Sequence, residues 1–390
     1  MNNRQLFLRH VAQTSPAPIS LEISRASGCE LFDASGKAYL DLIGGISVCN
    51  IGHCHPDVVA AINAQAAQYL HVMVYGEVVQ SPQVQYAELL ARHLPEPLDS
   101  IYFTNSGTEA TEGAIKLARR YTGRPDIIAC NNSYHGSTTG ALSIMGDEYW
   151  RNAFRPLMPG VWHYDYNSDA LIDAINGQTA CVIIETVQAE AGVMAPAQEW
   201  MQRLRTKCTQ TGTLLVLDEI QCGFGRTGSL WAFEQYHIVP DIVLLGKALG
   251  GGMPLGAFVA SGQIMRSLTL DPVLGHITTF GGHPVCCAAG MAAMQVLLRE
   301  KLAEQAAAKE RLFRDLLQHP QIVTVRSNGL LIAIELDSAD AVQRVLSACL
   351  AKGVFSDWFL FAPNCIRVAP PLTISKDQIA HACSVLRSCL

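Results

Sequence analysis

The chain has 390 residues, room for two domains at about 100–200 residues each, and a composition 49% hydrophobic and 16% charged describes a globular protein with a sizeable core. No apolar run reaches the roughly 18–20 residues that span a bilayer, and a net charge of −6 without a basic stripe speaks against nucleic acid as a partner. The 13 cysteines lie mostly in apolar stretches with no Cys-x-x-Cys, so they read as reduced thiols, and Met1 to His10 shows no secretory signal; a cytoplasmic protein is expected.

Residues 19–23, 29–33 and 38–42, with Ala34-Ser-Gly-Lys37 as a turn, read as a small antiparallel meander. His53-Cys-His55 has metal-like residue types, but its spacing is too tight for a common zinc site and no fourth ligand is evident. A turn is expected there, and no metal. Apolar runs at 101–103, 127–130, 182–184, 214–217 and 242–245 each precede Gly/Asn/Ser-rich loops and then helical periodicity. This alternation predicts an α/β protein with a mainly parallel sheet and helices on both faces. After the first run, Ala110, Ala114, Leu117, Ala118 and Tyr121 share one helical face, and Ser106-Gly-Thr-Glu109 before them has the residue types of a capping box. Beyond about residue 295 the pattern predicts a long helix to 317, a strand pair at 322–326 and 330–336, a helix over 339–352 and short strands to 369. These form a second, smaller α+β layer that the N-terminal meander can join. The expected division is a large domain over 55–295 and a small one from 1–54 and 296–390.

The candidate chemistry is spread along these elements. In Thr104-Asn-Ser-Gly-Thr-Glu109 a strand passes into a helix, so its N–H groups and hydroxyls either cradle a phosphate or simply cap the helix. Ser133-Tyr-His-Gly136 offers an aromatic ring beside a glycine, as a stacked cofactor needs, or a buried tyrosine with a hydrogen-bonded histidine. Thr278-Thr-Phe-Gly-Gly-His-Pro284 reads equally as an ordinary turn. Arg367 lies in an apolar strand, where it needs a carboxylate from the protein or from a substrate. Lys247 is the hardest residue to explain structurally: it follows an apolar run and precedes three close-set glycines, and burial pushes an amine toward its nucleophilic neutral form. Asp218 and Lys247 each end an apolar run, which places an acid and an amine at the carboxyl edge of a parallel sheet, where open α/β proteins bind ligands. This pair suits pyridoxal 5'-phosphate. The lysine can hold the cofactor as a Schiff base, and the aspartate can keep its pyridine nitrogen protonated.

Together, Asn105-Ser-Gly-Thr-Glu-Ala110, Tyr134-His-Gly136, Glu185-x-x-Gln188, Leu217-Asp-Glu-Ile-Gln221, Gly225-Arg-Thr-Gly228, Gly246-Lys247 and Thr279-Phe-Gly-Gly282 form an ordered series. With these motifs the chain resembles the class III, fold-type-I pyridoxal-phosphate aminotransferases, especially the acetylornithine/ornithine branch, from about residue 23 to 373. The resemblance implies that Lys247 carries the Schiff base and moves the proton, that Asp218 pairs with the pyridinium nitrogen, and that Gln221 meets the ring's phenolic oxygen. It implies that Tyr134 stacks on the ring and that Ser106, Gly107 and Thr108 hold the phosphate, with His135 and Glu185 also among the cofactor positions. Thr279 resembles the threonine that completes the phosphate site of a neighbouring subunit, which implies a homodimer with shared active sites. The implied partners are a small amine or amino-acid donor and a 2-oxo acid acceptor, used in two half-reactions with ping-pong kinetics.

The sequence departs from that branch at one informative position. Where the branch commonly carries a carboxylate-gripping arginine after the Tyr-His-Gly, this chain has Ser137, which removes a clamp of roughly 1.5–3 kcal/mol. A serine there is more like the ω-amine and β-alanine:pyruvate transaminases. Glu190 and Arg367 point back toward the ornithine-like branch, resembling its gating pair, and Ile46 resembles the acetylornithine type. The reading is therefore transfer of an ω-amino group to a 2-oxo acid, with ω-amine transamination as the alternative and racemisation or epimerisation in the same fold as a third.

Overall fold

A computed structural model describes all 390 residues. At its centre is a seven-stranded sheet in the order Ser100–Thr104, Gly256–Ala260, Ile242–Leu245, Leu214–Asp218, Thr179–Glu185, Asp126–Cys130 and Val161–Tyr164. The last five strands run parallel, and Gly256–Ala260 pairs antiparallel with both of its neighbours. The strands at 179–185, 214–218 and 242–245 are buried along their whole length, as expected where helices cover both faces. Their side chains alternate between two apolar clusters: Val182, Ile184, Leu215 and Leu217 enter one, Cys181, Ile183, Leu214 and Val216 the other.

Two strands of this sheet carry little sequence signal. Val161–Tyr164 is a half-exposed edge, so it lacks an apolar run. Gly256–Ala260 opens on a glycine, because a Cβ there would lie 2.1 Å from the Ser106 carbonyl oxygen. The glycine lets the sheet approach the loop that follows Thr104.

The chain ends build two smaller sheets beside the large one. Ile23–Ser27, Glu30–Asp33 and Ala38–Asp41 form the N-terminal meander, which Val354–Phe355 joins in parallel through Ala38–Asp41. The first strand begins where the predicted one ends, at Ile23 instead of spanning 19–23. Pro16 and Pro18 remove donors upstream, while the true strand is mostly exposed and polar, so no apolar alternation marks it. The second sheet has the order Thr324–Asn328, Leu331–Glu335, Ala362–Val368, Asp357–Phe359, all antiparallel. The single long helix expected from about 295 to 317 is instead two helices, Pro284–Arg299 and Leu302–Leu316. Lys301 between them has φ 50°, a left-handed conformation that interrupts the helical hydrogen bonds, and a lysine gives no warning of it.

Local pairings account for other residues singled out above. His53 bonds Asp41 at 2.7 Å, and the other Asp41 oxygen accepts from the Ile43 and Gly44 N–H groups. His55 accepts from the Asp57 N–H and caps helix Pro56–Gln68, so the His-Cys-His segment is a turn. Arg226, fully buried, donates to the carbonyls of Leu330 and Pro370 and to the Asn50 side chain, which ties three distant stretches of chain at one point. No helix is long and apolar enough to cross a membrane.

Candidate active site

The carboxyl ends of the parallel strands are aligned by register. Glu185 lies opposite Asp218, and Asp218 opposite Leu244, with Lys247 three residues further on. A cavity of about 260 Å³ opens there, lined by Gly107, Thr108, Tyr134 to Ser137, Glu185, Val187, Asp218, Ile220 to Cys222 and Lys247. Most of the predicted site residues therefore converge on one space at the edge of the sheet.

On one side stands the N-terminus of helix Gly107–Thr122, with Ser106 as its cap accepting from the Glu109 N–H at 3.4 Å. The capping box is only half formed. Glu109 turns back to the Asn105 N–H and side-chain amide, at 2.7 and 2.9 Å, and that amide also donates to Thr278 at 3.0 Å. Ser106 thus serves the helix, and the cavity is lined by Gly107 and Thr108. Thr108 Oγ1 meets Thr138 Oγ1 at 2.7 Å and accepts from the Thr138 N–H at 3.2 Å. Gly136 passes so close that a Cβ would lie 2.2 Å from Thr108 Oγ1, and its φ of 130° already favours glycine. Free N–H groups, hydroxyls and a helix dipole on one concave wall make an anion cradle.

The floor is acidic. Asp218, 4% exposed, bonds His135 Nδ1 at 2.7 Å and accepts from the Ile220 N–H at 2.9 Å. Burial works most strongly against a charge on His135, but its hydrogen bond to Asp218 together with the charges of Asp218 and Glu185 outweighs it and raises the imidazole above its ordinary value. Glu185 accepts from the N–H groups of Tyr134 and Ala189, which fixes the loop carrying the tyrosine. Burial lifts its carboxyl to about 7, with the neighbouring Asp218 adding to that rise and His135 opposing it. Gln221 accepts from Lys247 Nζ at 2.9 Å, and its amide nitrogen and His135 Nε2 are buried with no partner in the protein. Lys247 has φ 48°, so the amine is presented by a backbone conformation that few side chains adopt. Burial lowers it below the ordinary ammonium value, partly offset by Glu190.

Beyond the lysine, Glu190 grips Arg367 with two hydrogen bonds of 2.8 Å, and both are almost fully buried. Arg367 also donates to the Trp358 carbonyl at 2.9 Å, packs over the Phe359 ring and sets its Nε 2.9 Å from Asp357. Burial opposes its charge, yet Glu190 and Asp357 hold it above the usual guanidinium value. Ser137 is exposed and reaches only the Tyr134 hydroxyl, at 3.2 Å. Ile46, 37% exposed, sits in a left-handed turn with φ 62°. Thr279 is not in the cavity of this chain; it is exposed and meets the Tyr75 hydroxyl at 3.1 Å.

A family model described as aminotransferase class-III matches residues 11–390. The chain is a class-III aminotransferase. As in that family, it is a pyridoxal-phosphate-dependent transaminase with the fold-type-I architecture. It is 38% identical to the acetylornithine aminotransferase of Methanopyrus kandleri over 396 residues, covering 100% of this chain and 99% of the relative. An ornithine aminotransferase 1 of Staphylococcus aureus is 39% identical, with 97% of each chain covered. Among solved structures, the ornithine aminotransferase of Toxoplasma gondii superposes with a TM-score of 0.91 at 32% identity, covering 99% of this chain and 93% of that one.

Sequence reasoning missed several residues of this aminotransferase's site. Thr138 shares the cradle with Thr108, and its place in a Ser-Thr-Thr run after Gly136 was the available signal. Val187, Ile220 and Cys222 line the cavity, and nothing distinguishes them from core residues. Asp357 lies in a three-residue strand whose pairing is visible only in three dimensions.

Proposed function

We propose that this aminotransferase transfers an ω-amino group from an ornithine-like or acetylornithine-like donor to a 2-oxo acid. The observation that carries the reading is the bidentate Glu190–Arg367 pair close enough to Lys247 to influence its charge. A neutralised arginine tolerates the approach of an amine; once Glu190 turns aside, the same guanidinium can grip an α-carboxylate. The names of the most similar relatives support the same branch.

The cavity fits pyridoxal phosphate. It has an anion cradle, an amine at its end, an aspartate on its floor, and the unpartnered Gln221 amide nitrogen. When bound, the cofactor supplies an electron sink for the pair released at the substrate carbon. Lys247 would hold the cofactor at its carbonyl carbon and, once free, would carry the proton from the substrate carbon to that former carbonyl carbon. Its lowered basicity suits the task, because a neutral amine accepts a proton and an ammonium does not. Asp218, aimed by His135, faces and stabilises a positive nitrogen. Gly107 and Thr108 would hold the phosphate and Tyr134 would meet the ring, while Glu185 fixes the tyrosine's loop.

Ser137 supports a second reading, an ω-amine without a carboxylate at that end, because its side chain bonds only the Tyr134 hydroxyl. The remaining expectations also belong to this proposal: a large domain over 55–295, a small one from 1–54 and 296–390, and a cytoplasmic homodimer. Exposed Leu70, Val72, Met73, Val79, Ile277 and Phe280 support the dimer, since they gather in the stretches linked by the Tyr75–Thr279 contact. The deciding experiment pairs K247A with a spectroscopic screen of single amines. Wild type should convert the cofactor with ornithine or N-acetylornithine, while K247A should keep it through the phosphate and lose all turnover. Undiminished turnover in K247A would overturn the mechanism.

A further inference from the structure

Arg367 is held on two different sides, and the two holds belong to different parts of the fold. Glu190 reaches it from the loop after strand Thr179–Glu185 and occupies the two terminal nitrogens. Asp357 lies directly across from Arg367 in the antiparallel pairing of Asp357–Phe359 with Ala362–Val368, its Oδ1 2.9 Å from Nε in an ion pair whose N–H is not aligned for a hydrogen bond. The same short strand supplies the Trp358 carbonyl and the Phe359 ring beneath the guanidinium.

We infer that Asp357 is a positioning residue for carboxylate recognition, pinning the Nε edge of Arg367 so that only the terminal nitrogens are exchanged between Glu190 and the substrate carboxylate. This rests on the proposed exchange at Arg367. A guanidinium offers five donors in a fixed fork, and one edge fully serves a bidentate carboxylate. Without the Asp357 charge, an arginine released by Glu190 keeps only the Trp358 carbonyl and the Phe359 ring, neither of which faces its Nε edge, and the incoming carboxylate must reorder that edge. Register makes Asp357 the fixed partner, since cross-strand neighbours move together, whereas Glu190 comes from another strand's loop and is joined to this hairpin only at its turn, by the Leu360 and Phe361 N–H groups.

The second carboxylate has an opposing effect. It adds negative charge where another anion must bind. Burial raises the Asp357 carboxyl to about 6, with Arg367 lowering it and Glu190 and Asp41 raising it, so it is mostly ionised at neutral pH. Asparagine and alanine substitutions separate the two effects. Asp357→Asn keeps an oxygen for Nε and removes the charge; Asp357→Ala removes both.

The test uses holoenzyme and glutarate, an unreactive dicarboxylate, with its Kd measured by calorimetry, alongside the spectroscopic half-reactions with L-glutamate and with L-ornithine. Asp357→Asn should bind glutarate as tightly as wild type or up to about tenfold more tightly. Asp357→Ala should bind it about tenfold more weakly and raise the KM for L-glutamate, with the limiting rate and the ornithine half-reaction within about twofold of wild type. Equal weakening in both variants would mean a merely structural role and overturn the inference, as would tightening in both or no change in either. If wild type converts with none of L-glutamate, L-ornithine and N-acetylornithine, the proposed function falls, and this inference falls with it; if wild type converts and only the variants disagree, this inference alone falls. Thermal melting of Asp357→Asn, which is nearly isosteric, separates a folding defect from altered recognition.

Discussion

Replacing Gly136 by alanine should cripple cofactor binding while sparing the fold. The added Cβ would lie 2.2 Å from Thr108 Oγ1, 2.4 Å from its Cβ and 2.8 Å from its Cα, so rotation of the threonine alone cannot relieve the clash. Either the Gly136 backbone or the first turn of helix Gly107–Thr122 must move, which breaks the two contacts between Thr108 and Thr138. Two neutral hydrogen bonds at about 1 kcal/mol each, plus about 1–3 kcal/mol for a strained positive φ, give a cost of roughly 3–5 kcal/mol. Part of that cost lowers the stability of the apoprotein, and the part that displaces the cradle's N–H groups from the phosphate weakens binding. The Kd for pyridoxal phosphate, measured by fluorescence titration of the apoprotein, should rise about a hundredfold, about 2.7 kcal/mol. T108A is the control: it removes the clashing hydroxyl but keeps the helix in place, and should lose about tenfold. If G136A binds the cofactor within twofold of wild type, the cradle is not where the phosphate sits.

E190Q removes the carboxylate that competes for Arg367 and leaves a neutral amide. At about 1.5–3 kcal/mol for a charge-assisted pair, the KM for 2-oxoglutarate should fall ten- to a hundredfold, and L-glutamate should gain on ω-amines as donor; steady-state kinetics with both would check it. His53 predicts a pH effect. The Asp41 hydrogen bond, reinforced by Cys49, raises its imidazole from 6.5 to about 10. Its contribution to stability is therefore fully present below pH 6.5 and is lost as the pH rises through about 10. The Tm deficit of H53A relative to wild type, measured by calorimetry on the apoprotein, should be largest near pH 6.5 and shrink toward pH 10; a constant deficit would contradict the assignment.

The parts of the candidate site legible in the sequence are those fixed by strand ends. Asp218 ends one fully buried strand and Lys247 lies two residues past another, and the register of the two strands brings them to one edge. Glu185 belongs to the same row. The parts that were hard to read depend on contacts between distant segments. Asp357 acquires its meaning from the strand beside it, and the half-formed box at Ser106 reflects the pull of Asn105 on Glu109. The break at Lys301 follows the same logic, since tertiary packing imposes a left-handed residue on a sequence that would otherwise continue as helix. The shifted first strand shows the limit of periodicity itself, because an exposed strand has no buried face to announce.

Arg226 bears on how this molecule can move. It is a cation enclosed by the carbonyls of Leu330 and Pro370 and the Asn50 amide, so separating those segments would strand a charge away from water. Opening there is costly, and the chain's two ends are effectively riveted to the main sheet at that point. A mutation of Arg226 would thus act like a loosened hinge pin, altering how substrates enter and products leave without touching either.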